Sequence, residues 1–324
     1  MYNQSDLKDL VDKALLNLSY SDEAKKLIEP VSYILSIGGK RLRPVMALMA
    51  CNLFSDKIGK AIMPAAGIEV FHNFTLVHDD IMDNAPVRRN LPTIHSKWNV
   101  NQAILSGDVM AFIANECFLH APPDKLISVF HTFNKAAIEV CTGQQLDMDY
   151  EKTSAITRQQ YLRMIELKTA VLVSASLKIG ALIGGAEEKD SDLLYEFGRN
   201  LGLAFQIQDD MLDIWGDSQV FGKTRGGDIV ANKKTLPLIR ALELAEGKVL
   251  KQLREQLSAK DPDPEEKVRI IISIYDKLKI REATEKTADD YIDSAFTLLG
   301  KVSVSSERKK ELENLAGSLI GRDR

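Results

Sequence analysis

The chain has 324 residues, of which 45% are apolar and 27% charged, with a formal net charge of -4. That length allows one large domain or two ordinary ones. The slight acidity excludes nucleic acid as the main partner, because a phosphate backbone calls for a basic surface.

The opening stretch, MYNQSDLKDLVDKALL, is polar and amphipathic and lacks the basic and apolar regions of a secretory signal. No run approaches the roughly 18 apolar residues of a spanning helix, so no stable membrane insertion is expected. IGGKRLRP (37–44) closes one helix with glycine and opens the next with Pro44. HAPPD (120–124) is a turn. No proline lies between Pro123 and Pro237, and that gap holds helical-period patterns, including an amphipathic stretch at 158–184, without period-2 alternation. GDSQVFGKTRGGDIVANKKT (216–235) is the longest break. VRIIISIY (268–275) is rich in β-branched residues, but its context makes it helical: Asp263 suits the N-cap, Pro264 the first helical position, and Glu266 completes a capping box. Val268, Ile271, Ile272, Tyr275 and Leu278 then share one helical face. Cys51, Cys117 and Cys141 are odd in number and widely spaced, and read as reduced, mostly packed thiols of a cytoplasmic protein. With no repeat, low-complexity tract or linker, the expectation is an all-α fold in a single domain spanning 1–324.

Chemistry concentrates in two places. LVHDDIMDNAPVRRN (76–90) carries Asp79, Asp80 and Asp83, then Arg88 and Arg89. On a helix Asp79 and Asp83 stack on one face with Asp80 beside them, and such like charges repel unless a cation is bound. Mg²⁺ bridges a few carboxylates to substrate phosphates while keeping water ligands. Alone, the motif also fits a solvated acidic face, and His78-Asp79 fits the doublet of metal-dependent phosphohydrolases; EF-hand spacing is absent. FQIQDDMLD (205–213) repeats the pattern with Asp209, Asp210 and Asp213, and Gly202, Gln206, Asp209 and Asp213 form one helical stripe. Two such clusters facing each other across a cleft would clamp divalent ions around one diphosphate. Cations accompany them: Lys40, Arg41 and Arg43 where a helix begins, Lys168 in ELKTA, and Lys223, Lys233 and Lys234 in the long break. This inventory suits two diphosphates, one held by metal and one by Arg and Lys.

With GGKRLRP, HDDIMDNAPVRRN, GQQLD, ELKTA, FQIQDDMLD, GKTRGGDI and NKKT in order, the sequence resembles the trans-isoprenyl diphosphate synthases of the polyprenyl synthetase family. The resemblance implies an all-helical bundle around a deep cleft, commonly a homodimer, and assigns roles to individual residues. Asp79, Asp80, Asp83, Asp209 and Asp210 would bind Mg²⁺, three ions per site, holding an allylic diphosphate, with Asp213 in the outer metal shell. Arg88, Lys168, Lys223 and Lys233 would contact that diphosphate. Lys40, Arg41, His72 and Arg89 would hold isopentenyl diphosphate, and Thr169 and Gln206 would line the reacting carbons. The implied reaction is a head-to-tail condensation, with the departing diphosphate as candidate base. The chain ends LIGRDR, without the strongly basic tail of some animal and fungal members.

Product length has its own candidates. Phe74 stands five residues before Asp79, about 7.5 Å along the helix axis, and Phe71 about 12 Å. In the resembling family a bulky aromatic at the Phe74 position marks short products; Thr75, not a second aromatic, follows it here. The expectation is geranylgeranyl diphosphate, with farnesyl diphosphate next. Phe74 lies roughly 140° around the helix from Asp79, so its pocket role rests on the resemblance. The rival readings are a terpene cyclase, whose second metal motif FQIQDDMLD does not fit, a phosphohydrolase, and a non-catalytic synthase subunit, which would be expected to have lost an aspartate motif.

Overall fold

The structure, a computed structural model, describes residues 2–18, 25–216, 226–259 and 261–320. In chain order its first helices are α1 (Gln4–Leu16), α2 (Lys25–Ser36), α3 (Leu42–Phe54), α4 (Ile62–Met82), α5 (Ile94–Lys97), α6 (Val100–Phe118) and α7 (Leu126–Glu151). Then come α8 (Arg158–Ile165), α9 (Val171–Gly184), α10 (Glu188–Trp215), α11 (Gly227–Val230) and α12 (Leu236–Leu244). The chain closes with α13 (Gly247–Ser258), α14 (Pro264–Lys277), α15 (Ile280–Lys301) and α16 (Ser306–Ile320). A π-helical turn, Glu166–Ala170, joins α8 to α9. Among the described residues the only strands are β1 (Val87–Arg88) and β2 (Leu91–Pro92), an antiparallel ribbon. The fold is all-α, as expected.

The chain packs into two compact units. The first comprises Met1–Lys135, Ala175–Tyr195 and Val302–Glu313. Its centre is α4 against α6, where missing side chains allow close approach. A Cβ on Gly67 would meet the Cys117 side chain at 2.8 Å and the Ala114 carbonyl at 3.0 Å. Helix α3 is buried on every face from Pro44 to Leu53, as an apolar helix without a polar stripe must be.

The second unit comprises Ala136–Ser174, Glu196–Lys301 and Asn314–Arg324. One of its core clusters joins Tyr161, Ile165, Leu203, Ile207 and Ile239. Another joins Ile214, Leu253, Ile271, Ile274 and Tyr275. Helix α14 starts where the sequence places it: Pro264 is in the first turn and the Asp263 side chain accepts the Glu266 N–H at 2.8 Å. The Glu266 carboxylate instead lies 3.6 Å from Arg269, so the reciprocal half of the expected capping box is replaced by an ion pair. Its buried face is rotated from the expected one. Lys267, Ile271, Ile274 and Tyr275 form it, while Val268, Ile272 and Leu278 pack at its edge. Lys267 is buried because its ammonium donates to the Val230 carbonyl (2.9 Å) and to Asn232 Oδ1 (2.7 Å). It caps the carbonyl end of α11, where a cation is favoured.

A further sequence expectation changes. Arg158–Gly184 is long and apolar enough to cross a membrane by length and composition, contrary to the expectation that no run approaches that. Its apolar window is 61% buried inside the protein, as in a core helix. The cysteines agree with the reading of mostly packed thiols: Cys51 and Cys117 are buried thiols pushed up to about 12 by burial, and Cys141 is exposed.

Candidate active site

The first acidic motif occupies the last turn of α4: Asp79 and Asp80 lie in the helix and Asp83 is its C-cap. The C-terminal end of a helix carries the negative end of its dipole, so three carboxylates there reinforce one another and favour a cation. Their environments differ. Asp79 is half-buried, Asp83 exposed and Asp80 buried. Asp80 accepts Arg88 Nε at 2.9 Å and Nη2 at 2.7 Å on one oxygen, and Nε at 3.0 Å on the other. In this structure the Asp80 carboxylate therefore orients Arg88, a use different from the metal ligation expected of it.

Arg88 and Arg89 come from the β1–β2 ribbon. Arg89 and Asn90 form its tip with φ of 52° and 63°, the mirror-image turn that suits a tight hairpin. Arg89 donates to the Gly38 carbonyl, and its guanidinium lies where a Gly39 side chain would begin, 2.8 Å from an ideal Cβ. Nearby, Arg43 Nη1 lies 3.1 Å from His72 Nε2, and Arg43 Nε is buried with no partner. Burial, then Arg43, Arg89, Arg88 and Arg41, hold the His72 imidazole well below its usual range. His72 is thus neutral, and Arg43 donates to its Nε2. A buried guanidinium N–H without a partner, beside a neutral imidazole, is a donor that an anion could satisfy.

Arg41, expected to share that site, is spent elsewhere. It is 4% exposed and donates to Asp12 Oδ1 (2.9 Å), Glu69 Oε1 (2.8 Å) and the Leu35 carbonyl (2.6 Å). Arg43 is the residue of the motif that reaches His72. Lys40, just before Arg41, is exposed.

The second acidic motif lies in the last two turns of α10, again at a negative dipole end. A cavity of about 190 Å³ is lined there by Asp209, Asp210, Asp213, Gln206, Lys168, Thr169, Asp228 and Lys233, among others. Asp210 is buried; Tyr161 donates to its Oδ2 at 2.5 Å and Gln206 to its Oδ1 at 3.2 Å. Burial, with Asp228 and Asp209 adding to it, raises the Asp210 carboxyl to about 7 against the opposing hydrogen bonds. Thr169 donates to Gln206 Oε1 at 3.1 Å, and Lys168 reaches Asp147 Oδ2 at 2.6 Å. The π turn aims both side chains at the cavity, and Gly143 and Gly202 let α7 and α10 press against it. A Cβ on either would lie 2.3 Å from Lys168 N or 2.6 Å from Ala170 Cα, respectively. Asp213, placed by the resemblance in the outer metal shell, anchors the break: its Oδ2 accepts the Asp228 N–H (3.0 Å) and its carbonyl the Gly226 N–H (2.7 Å). Lys233 lies 3.8 Å from Asp228. Lys223 lies outside the described residues.

Residues 24–275 match the polyprenyl synthetase family model. The chain belongs to that family. It is therefore an enzyme of the trans-prenyltransferase class, of short-chain type. It is 39% identical over 309 residues to a geranylgeranyl diphosphate synthase of Sulfolobus acidocaldarius, covering 93% of this chain and 92% of that protein. A geranylfarnesyl diphosphate synthase of Natronomonas pharaonis is 33% identical, covering 97% and 95%. Among solved structures, a geranylgeranyl pyrophosphate synthetase from Pyrococcus horikoshii superposes with a TM-score of 0.92 at 35% identity, covering 99% and 98%.

Members of this family generally depend on Mg²⁺, and the acids fit it. They are hard oxygen donors at two negative helix ends; among the described residues no three His, Cys, Asp or Glu side chains come together closely enough to hold an ion by themselves, so an ion here would need phosphate and water to complete its shell. Such open carboxylate sets suit an ion that shares its shell with water and phosphate. Sequence reasoning missed part of this site. The anchors Tyr161 and Asp147, and the reach of Arg43 to His72, emerge only from contacts, and Asp228 only from its place beside Asp209 and Asp210.

The neutral state of His72 has a measurable consequence. Below pH 6.5 the unfolded chain protonates this residue while the folded synthase does not, so stability falls as pH falls. Chemical denaturation at pH 7.5 and 5.5 is expected to show a drop that His72→Gln reduces, by at most about 1.4 kcal/mol per pH unit. An identical pH slope in the variant would exclude this.

Proposed function

We propose that the enzyme condenses isopentenyl diphosphate head to tail with an allylic diphosphate and stops at geranylgeranyl diphosphate, with farnesyl diphosphate the nearest alternative. One observation supports it above the rest: carboxylates crowd the negative ends of α4 and α10, while Arg43 contacts a neutral His72 whose charge is held off by burial and by the guanidiniums of Arg43, Arg89, Arg88 and Arg41. The first chemistry takes a metal-bound diphosphate, the second a metal-free one. The Sulfolobus relative's name supports the product, and the Natronomonas relative's name places a longer product within reach of the family. Coverage of 99% by the Pyrococcus structure supports one synthase domain over 1–324.

Mg²⁺, three ions on this reading, held by Asp79, Asp83, Asp209 and Asp210, would neutralise the diphosphate that leaves. Lys168, steadied by Asp147, donates to that leaving group, as do Arg88 and Lys233. Thr169 and Gln206 turn oxygen dipoles toward the developing allylic cation. Lys40, Arg43, His72 and Arg89 hold the isopentenyl diphosphate so that its double bond meets that carbon. No side chain is assigned to the final proton loss.

The reading is tested by incorporation of radiolabelled isopentenyl diphosphate with each allylic primer, followed by chromatography of the dephosphorylated products. Phosphate release from a single substrate, or no primer-dependent incorporation, would defeat it. Within it, Arg43→Ala is expected to raise the Michaelis constant for isopentenyl diphosphate tenfold or more, as loss of a charged hydrogen bond of about 1.5–3 kcal/mol does. The allylic constant should change little; an equal rise in both would reject the assignment.

We also read the enzyme as a cytoplasmic homodimer. Leu105, Phe112 and Leu119 are exposed at seven-residue spacing along α6 and its C-cap, an apolar stripe suited to a second copy. The buried thiols of Cys51 and Cys117 support a reducing compartment. Sedimentation as a monomer at micromolar concentration would exclude the dimer.

A further inference from the structure

Arg41 sits at the N-cap of α3 with φ 50°, in the left-handed region. An arginine persists there only where its surroundings over-determine it. Here they do. Each guanidinium nitrogen has a partner on a different helix: Asp12 on α1, the Leu35 carbonyl near the C-terminal end of α2, and Glu69 on α4. Glu69 Oε1 also accepts the Asn73 side chain at 3.2 Å, and Asp12 is held in turn by Lys8 at 2.6 Å. The Arg41 carbonyl accepts the Val45 N–H at 3.0 Å, so its backbone sets the first turn of α3. That turn carries Arg43 toward His72, and Lys40 lies immediately before it.

A guanidinium engaged this way cannot swing to a phosphate without leaving the buried Glu69 carboxylate with no counter-charge and the Leu35 carbonyl without this donor. We propose that Arg41 is a positioning residue, not a ligand: with Asp12 it forms a strut that holds residues 38–43 in the shape that binds isopentenyl diphosphate. This rests on reading the Lys40–Arg43–His72 pocket as the isopentenyl diphosphate site. It makes α1, remote in sequence from every motif, a determinant of affinity for one substrate only.

The test is a double-mutant cycle of Asp12→Ala and Arg41→Lys. Lysine keeps the charge but offers one nitrogen where three are engaged. Asp12 is partly exposed at the edge of the network, so its alanine variant is expected to fold, which circular dichroism checks. Isopentenyl diphosphate is titrated calorimetrically into the metal-free enzyme in EDTA, and the two Michaelis constants are measured in Mg²⁺. Asp12→Ala is expected to weaken isopentenyl diphosphate binding about fivefold, with the allylic constant and maximal rate within about twofold. The double variant should bind no more weakly than Arg41→Lys alone, because both break one unit. Undiminished binding by Asp12→Ala, or fully additive losses, would overturn the strut. A wild-type enzyme that binds no isopentenyl diphosphate would overturn the pocket reading, and this inference with it.

Discussion

Replacing Asp79 or Asp209 with alanine is expected to lower elongation by about 10³-fold in saturating Mg²⁺ while leaving the protein folded, since charge stabilisation by a bound metal is worth several kcal/mol. These two positions separate chemistry from structure better than their neighbours. Asp80 is buried under Arg88, and Asp210 under Tyr161 and Gln206, so alanine there strands buried partners as well as removing an acid. Asp79 is half-buried and Asp209 exposed, each at the negative end of a helix. Removing a carboxylate there relieves an unfavourable dipole interaction of about 0.3–1 kcal/mol. Melting temperatures should therefore hold while turnover collapses. A near wild-type rate in either variant would remove that residue from the metal site.

Phe74→Ala is expected to shift the product beyond its wild-type length, and Phe71→Ala added to it should shift it further. The rings form a column. His78 and Phe74 lie 4.8 Å apart between centroids, Phe74 and Phe71 5.4 Å, Phe71 and Phe133 5.2 Å, and Phe133 stacks on Phe118 at 4.1 Å. Phe74 is half-buried and Phe71 buried, so the upper ring can be removed at less than the cost of about 3–5 kcal/mol for a fully buried phenylalanine. Each added isoprene unit gains several kcal/mol on burial, at about 0.8 kcal/mol per methylene, so growth stops only where space does. Thr75 cannot replace the lost bulk; its hydroxyl is turned back onto the His72 carbonyl at 2.8 Å. Chromatography of dephosphorylated products decides it. The same product distribution from a folded, active Phe74→Ala enzyme would exclude the steric stop.

Helices, turns and acidic motifs were legible because periodicity and local density are written along the chain. The Asp263-Pro264 start of α14 illustrates this. Lys267 on the same helix was not legible as a buried residue, because its partners, Val230 and Asn232, belong to another segment. The β1–β2 ribbon escaped for a different reason: two-residue strands are too short to alternate, and Arg89-Asn90 is not the usual Asn-Gly turn pair. Arg41 and Arg43 look interchangeable in GGKRLRP; only the left-handed backbone of Arg41 sends one guanidinium inward and leaves the other at His72. Tyr161 stands 49 residues from Asp210, and Asp147 stands 21 from Lys168. Lone side chains at such separations leave no local pattern.

The π turn at Glu166–Ala170 bears on how this enzyme tolerates insertions and deletions. Such a turn is an α-helix with one residue too many, and consecutive α-helical positions differ by about 100°. Deleting one residue from this run would restore a regular helix, with an intact hydrogen-bond ladder and nothing obviously missing. It would also swing Lys168 or Thr169 off the cavity that both now line, with Gly143 and Gly202 leaving no room to readjust. The surplus residue is thus a frame setting for the catalytic face: a deletion that tidies the helix would silence it.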